Sequence, residues 1–149
     1  MEQRPFRAGT ARKKISPSPE MGPVYRAGYK MMEAERLTGT VDDIYLRCLT
    51  LEAQATRVIF LSLDLIGLFR DFTDALARRL APQGIEAPQL IVATTHSHAA
   101  PDTMGAWGPS FGQSGYNERY GEFLLTTAAD AVRSALEAAR PGRPYFYIE

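Results

Sequence analysis

Two apolar runs separated by an amphipathic segment constrain the fold of this chain more than any other feature. The first run occupies residues 58–66 and the second residues 89–95. Runs of this length and composition are typical of strands that are buried on both faces of a sheet. Between them, apolar side chains recur at helical spacing over residues 69–80, and the pattern ends before Pro82. Strand, helix and strand in this order predict a βαβ unit with parallel strands.

The rest of the chain predicts further strands, two loops and one long helix. Residues 6–15 and 44–52 are rich in strand-forming side chains, whereas prolines make most of residues 16–30 a loop. Glycine and proline make residues 99–117 a second loop. Residues 118–139 repeat small and apolar side chains every four positions, which predicts a long helix.

We therefore expect one α/β domain over residues 1–149, with a mixed or parallel sheet and helices packed on it. The final residues, 145–148, are predicted as another strand. A strand inside an α/β sheet needs cover on both faces, and nothing follows to provide it. This predicts an incomplete domain whose protein continues beyond Glu149, and the same uncovered strand makes a homo-oligomer a further expectation.

Composition excludes several classes of protein. Lysine plus arginine is 17 and aspartate plus glutamate is 17, so the chain lacks the basic excess of a nucleic-acid-binding protein. A single cysteine, Cys48, cannot form an internal disulfide. Residues 1–5 begin no apolar run, and the longest apolar stretch, residues 58–69, is far shorter than the ~20 residues that span a bilayer. We expect no signal peptide, no transmembrane segment and a cytoplasmic location.

Two histidines directly follow the second apolar run. His96 and His98 lie in the segment Thr94-Thr-His-Ser-His-Ala-Ala-Pro-Asp102, and the chain contains no other histidine. In open parallel sheets, ligands bind outside the carboxyl ends of the strands. Side chains two residues apart in an extended chain point the same way, and imidazole is a common zinc ligand. The pattern favours a metal-binding pocket over a pair of ordinary surface or capping histidines.

Two carboxylates lie near the histidines in sequence. Asp64 closes the first apolar run, so we expect it at the same sheet edge as His96, within reach of it directly or through one water. There it would orient a histidine, or else cap the loop and helix that begin at residue 67. Asp102 is the second nearby carboxylate.

A serine-hydrolase motif is disfavoured. Residues 108–112, Gly-Pro-Ser-Phe-Gly, match the Gly-x-Ser-x-Gly nucleophile elbow. The elbow needs a strand directly before it, but a glycine- and proline-rich loop precedes this segment, and Pro109 removes a backbone donor beside the serine. Three aromatic side chains of the same loop either line an apolar substrate pocket or pin the loop to the core: Trp107, Phe111 and Tyr116.

The histidine segment resembles a motif of the neutral, non-lysosomal ceramidases, which carry Thr-His-Thr-His-Ser-Gly-Pro after a strand. Residues 95–101 of this chain read Thr-His-Ser-His-Ala-Ala-Pro. Upstream, Ser62-Leu-Asp-Leu65 and Gly28-Tyr29 also resemble segments of that family. The resemblance runs in the same order over most of residues 7–108.

This resemblance implies the N-terminal portion of a zinc-dependent hydrolase that cleaves N-acyl amide, ceramide-like bonds in a small-molecule or lipid-like substrate. It implies that His96 binds Zn²⁺ and that His98 is the catalytic residue lining the active site. Zinc would polarise the amide carbonyl or activate a water. Two departures stand out, Ala99-Ala100 in place of Ser-Gly and Asp102 in place of a small residue.

The remaining ligands of that family lie further downstream: a second histidine, a glutamate and a tyrosine. Catalytic zinc normally has three protein ligands, so this chain alone is expected to bind zinc weakly. The alternative is a non-catalytic α/β remnant or binding module without metal. A metallo-β-lactamase-type His-x-His-x-Asp-His site fits less well because Asp102 is too far from His96. An amidohydrolase barrel also fits less well, because it would carry the His-x-His motif on its first strand.

Overall fold

The computed structural model describes residues 6–31, 33–145 and 147. Their strands form one sheet in the order β4-β3-β2-β1-β5. The strands are β1 (Arg7–Lys14), β2 (Tyr45–Ala53), β3 (Thr56–Leu63), β4 (Leu90–Thr94) and β5 (Arg140–Pro141). The helices are α1 (Arg70–Leu80) and α2 (Glu118–Glu137), and short 3-10 turns lie at Pro19–Met21, Ala81–Gln83 and Ala87–Gln89.

The βαβ unit predicted from the two apolar runs is confirmed. β3 and β4 pair in parallel, with Ile59 opposite Leu90 and Leu63 opposite Thr94, and α1 connects them. β3 ends before the predicted residue 66 because the chain turns sharply, with the Leu65 N–H donating to the Leu63 carbonyl at 2.8 Å. β1 and β2, and β2 and β3, pair antiparallel. The sheet is therefore mixed.

Helix α2 packs across β1 and β2. Asn117 caps its first turn, accepting a hydrogen bond from the Tyr120 N–H at 2.9 Å. The Tyr120 hydroxyl in turn donates to the carbonyl of Ile15 at 2.9 Å, and burial raises the pKa of this phenol. Gly9 lies where the helix approaches most closely, since a Cβ there would meet the Ala135 carbonyl oxygen. These contacts fix α2 over the N-terminal half of the sheet.

The described helices cover a single face of the sheet. Leu61 of β3, Leu76 of α1 and Leu124 of α2 belong to one buried cluster. The opposite face carries Phe60 and Ile91, which are 38% and 46% exposed. The expectation that both apolar runs are buried on both faces is therefore wrong for this chain, because α1 and α2 pack on the same side.

The C-terminal prediction is tested only in part. Helix α2 ends at Glu137, and the two-residue strand β5 follows at once, pairing with β1. Of the predicted strand 145–148, Phe146 and Ile148 lie outside the described residues, and Tyr145 has no regular structure. Among the described helices, none combines the length and apolar composition that crossing a membrane requires.

Neighbouring residues of β3 should differ sharply in their contribution to stability. We expect Leu61→Ala to lower the free energy of unfolding by about 2–5 kcal/mol, because Leu61 is fully packed between sheet and helices. Phe60→Ala should cost about 1 kcal/mol or less, since Phe60 is on the face without helices, opposite Leu49 and Ile91 on the neighbouring strands. Urea denaturation of both variants measures this, and equal losses would contradict the one-sided core.

Candidate metal and catalytic site

The histidine loop begins where β3 and β4 end together. Beyond the assigned strands, the Thr95 N–H donates to the Leu63 carbonyl at 3.0 Å and the Ser97 N–H donates to the Leu65 carbonyl at 3.1 Å. The two chains therefore stay hydrogen-bonded past their strand ends. This places the histidines at the carboxyl edge of the parallel pair, the position at which α/β sheets commonly bind ligands.

His96 adopts a left-handed backbone conformation. Its φ is 60°, in the left-handed region that non-glycine residues rarely occupy. Strain of this kind costs about 1–3 kcal/mol and clusters at functional sites. Here it is compatible with the hydrogen bonds on either side, at Thr95 and Ser97, which hold the loop against β3.

The imidazole of His96 is oriented by a backbone carbonyl. Its Nδ1 lies 2.8 Å from the carbonyl oxygen of Ile66, and a carbonyl can only accept. Nδ1 therefore carries the proton, and in the neutral ring Nε2 keeps its lone pair. Histidines that bind metals typically donate their other ring N–H in this way, which fixes the tautomer and the direction of the ligating nitrogen. His96 as a whole is an exposed residue.

His98 lies beside His96, and its half-buried ring packs against two aromatic neighbours. The ring centroids of His96 and His98 are 5.0 Å apart, with an interplanar angle of 67°. His98 also has Tyr29 as a neighbour, with ring centroids 5.3 Å apart. The two histidine rings are therefore neighbours, through a left-handed residue and not through an extended strand. That they share one metal pocket stays a prediction.

Asp64 does not hydrogen-bond to His96. Within the described residues, its Oδ2 accepts from the Tyr45 N–H at 2.9 Å and its Oδ1 from the Arg47 guanidinium at 2.9 Å. The carboxylate therefore holds the start of β2 and makes no direct hydrogen bond to His96. A contact through one water stays a prediction. The group that orients His96 is instead the carbonyl of Ile66, two residues further along. Every residue has a main-chain oxygen, so the sequence could not indicate that the carbonyl of Ile66 orients His96.

Asp102 is a structural loop residue. It is 2% exposed, and its Oδ1 accepts from the N–H groups of Met104 and Gly105, each at 2.9 Å. Its Oδ2 accepts from the Trp107 N–H, also at 2.9 Å. Three backbone donors satisfy the charge, which explains how a carboxylate is tolerated in this buried position. Asp102 thus organises the glycine-rich loop.

The donor set for a metal is incomplete in this part of the chain. Across the described ranges, no three His, Cys, Asp or Glu side chains lie close enough together to hold a metal ion. Burial raises the pKa of the Cys48 thiol to about 12, so this sulfur stays protonated and is a poor ligand. His96 has the orientation expected of a ligand, but zinc catalysis normally requires three protein ligands.

An apolar cavity lies against the β3–α1 loop and the glycine-rich loop, with Leu68 and Met104 in its lining. Its volume is about 510 Å³, and its lining also includes Phe69, Phe72 and Tyr116. The two loops are joined there, since the Thr103 hydroxyl donates to the carbonyl of Gly67 at 2.6 Å. Of the three loop aromatics, Tyr116 thus lines a pocket, Trp107 is tied to Asp102 and Phe111 is 81% exposed.

Removing the Asp102 carboxylate should loosen the glycine-rich loop. We expect Asp102→Ala to lower the free energy of unfolding by about 2–4 kcal/mol, because three buried N–H groups lose a charged acceptor together. Asp102→Asn should cost less, since one amide oxygen still accepts. Asp42→Ala, which removes an exposed aspartate, is the matched control. Thermal and urea unfolding measure the difference, and an Asp102→Ala variant as stable as the control would refute the structural role.

Comparison with known proteins supports the fold but not the site. No protein-family model matches the chain, and no curated protein is significantly similar to it in sequence. Among solved structures, it is similar to the crystal structure of neutral ceramidase from Pseudomonas aeruginosa, with a TM-score of 0.78 and 20% sequence identity. The match covers 93% of this chain and 22% of that chain. The chain therefore has the mixed α/β fold of one part of a neutral ceramidase, as the sequence resemblance implied.

Proposed function

We propose that this chain is the N-terminal part of the catalytic domain of a zinc-dependent hydrolase that cleaves N-acyl amide bonds in a ceramide-like substrate. In this proposal His96 is a metal ligand and His98 the assisting catalytic residue. The observation that carries it is the orientation of His96. A left-handed backbone and the Ile66 carbonyl together leave its Nε2 as the free, lone-pair-bearing nitrogen at the carboxyl edge of the sheet.

The residues of this chain would divide the work as follows. The Ile66 carbonyl would accept the proton-bearing Nδ1 of His96 as a hydrogen-bond donor, so that Nε2 is left to bind the metal ion. His98, whose ring centroid is 5.0 Å from that of His96, is close enough to exchange a proton with a substrate held beside it. When bound, zinc polarises an amide carbonyl and makes a water more acidic.

The similarity to neutral ceramidase supports a hydrolase. The incomplete set of metal ligands means that this chain alone is expected to bind zinc only weakly. The chain matches 22% of that enzyme, and within the described residues no three potential ligand side chains lie together to hold a metal ion. We propose that further ligands come from chain outside these residues. The lipid-like amide substrate, the homo-oligomer and the cytoplasmic location stay predictions.

A second candidate function is a non-catalytic α/β module that binds no metal. It is favoured by the commitment of both neighbouring carboxylates, since Asp64 serves β2 and Asp102 serves the glycine-rich loop. The orientation of His96 favours the hydrolase instead, because the Ile66 carbonyl holds its Nδ1 and leaves Nε2 for a metal. Zinc content separates the two.

Substitution of the two histidines should affect zinc differently. In the full-length protein we expect His96→Ala to abolish zinc binding and amide hydrolysis together, because it removes a ligand. His98→Ala should retain more of the zinc while losing turnover. Elemental analysis and hydrolysis of an N-acyl amide measure the two effects. Asp64→Asn is the control and should keep wild-type zinc, since that carboxylate contacts Tyr45 and Arg47.

Equal zinc occupancy in the wild type and His96→Ala would show that this histidine is not a ligand, and the amidase proposal would fall with it. For the isolated chain, titration with zinc should show weak binding that His96→Ala removes.

A further inference from the structure

A short ladder brings an upstream segment alongside the histidine loop. The Ala27 N–H donates to the Ala100 carbonyl at 3.0 Å, and the Asp102 N–H donates to the Tyr25 carbonyl at 2.7 Å. Residues 25–29 are therefore held in register with the residues that directly follow His98. This pairing spans more than seventy positions of sequence, so neither segment reveals it alone.

His98 occupies the space that a side chain at residue 28 would need, and Gly28 has none. Its φ is +92°, and a Cβ placed there would lie 2.5 Å from Cγ and 2.7 Å from Cβ of His98. The contact with Cβ matters most, because that atom is fixed by the backbone of His98. Rotation of the imidazole could not relieve the overlap. A side chain at residue 28 would therefore displace His98 itself, and would also be strained at this φ.

Gly28 makes room for His98, whereas Tyr29 limits the rotation of the His98 imidazole. The Tyr29 and His98 rings form a T-shaped pair at 5.3 Å and 74°, so the His98 ring contacts Tyr29 as well as His96. Tyr29 is itself 55% exposed and so contributes little to the core. It is backed by Arg26, whose guanidinium lies 5.2 Å from the Tyr29 ring and pairs with Glu35 at 2.8 Å.

We infer that Gly28 and Tyr29 are positioning residues that set the orientation of the His98 imidazole toward His96. Gly28 allows His98 to approach, and Tyr29 restricts its ring to the orientation that faces His96. This inference deepens the proposed function of the histidine pair and rests on it for its catalytic consequence. The contact geometry itself is independent of any metal. Arg26 and Glu35 keep Tyr29 against the histidine.

The test is the NMR spectrum of the histidine rings, because the chain has only two histidines. We expect Tyr29→Leu to move the ring-proton shifts of His98, since the ring current of Tyr29 is lost, and to leave most backbone amides in place. Tyr29→Phe, which keeps the ring, should restore the wild-type shifts. Gly28→Ala should move the His98 signals further. Tyr145→Leu, which removes a tyrosine that is 87% exposed, is the matched control.

Kinetics supply the second readout. In the zinc-loaded full-length protein, with a fluorogenic dodecanoyl anilide as the probe, Tyr29→Leu should lower kcat roughly tenfold to a hundredfold with unchanged zinc content. KM should change much less, and Tyr29→Phe should recover most of the rate. A loss confined to KM would overturn the positioning role, since it would make Tyr29 a substrate contact only.

Unchanged His98 shifts in Tyr29→Leu would also overturn the inference, as would shifts spread over the whole amide spectrum, which would show that the segment maintains the fold. The two proposals fail separately. If the wild-type protein takes up no zinc and cleaves no amide, the proposed hydrolase falls. The ring shifts still decide whether Gly28 and Tyr29 position His98.

Discussion

The site depends on the hydrogen bonds that continue the β3–β4 pair past its strand ends. Thr95 and Ser97 donate to the carbonyls of Leu63 and Leu65, and these two bonds bring the histidine loop against the β3–α1 loop. Only then can the Ile66 carbonyl meet Nδ1 of His96. The parallel pairing that the apolar runs require for packing is thus also what orients the candidate ligand.

Much of this architecture could be predicted from the sequence, because it follows from apolar periodicity. The two apolar runs and the stripe of α1 predicted the βαβ unit, and Asn117 stands at the cap of the long helix. The roles of the two carboxylates could not be predicted in this way. Asp64 was placed near His96 from its position along the chain, but its partners are the Tyr45 N–H and Arg47. Asp102 was given no role, and its partners are backbone N–H groups that leave no pattern in the sequence.

The contacts that orient the histidines were missed for a related reason. His96 is oriented by a backbone carbonyl, and His98 is accommodated because residue 28 is a glycine. Neither carbonyl nor glycine is a residue feature that indicates a catalytic or metal-binding site. Their one sequence signal was the Gly28-Tyr29 pair, which a family resemblance picked out without giving its role. Burial on both faces of the sheet was predicted from composition alone, whereas Phe60 and Ile91 are partly exposed in the described residues.

The fold should present Nε2 of His96 as a metal-binding nitrogen. A long-range ¹H–¹⁵N spectrum of the histidine rings tests this directly, recorded at a pH where the rings are neutral and then with added zinc. We expect His96 to carry its proton on Nδ1 and zinc to shift the signal of its Nε2. A proton on Nε2 of His96, or zinc-induced shifts confined to other residues, would contradict it.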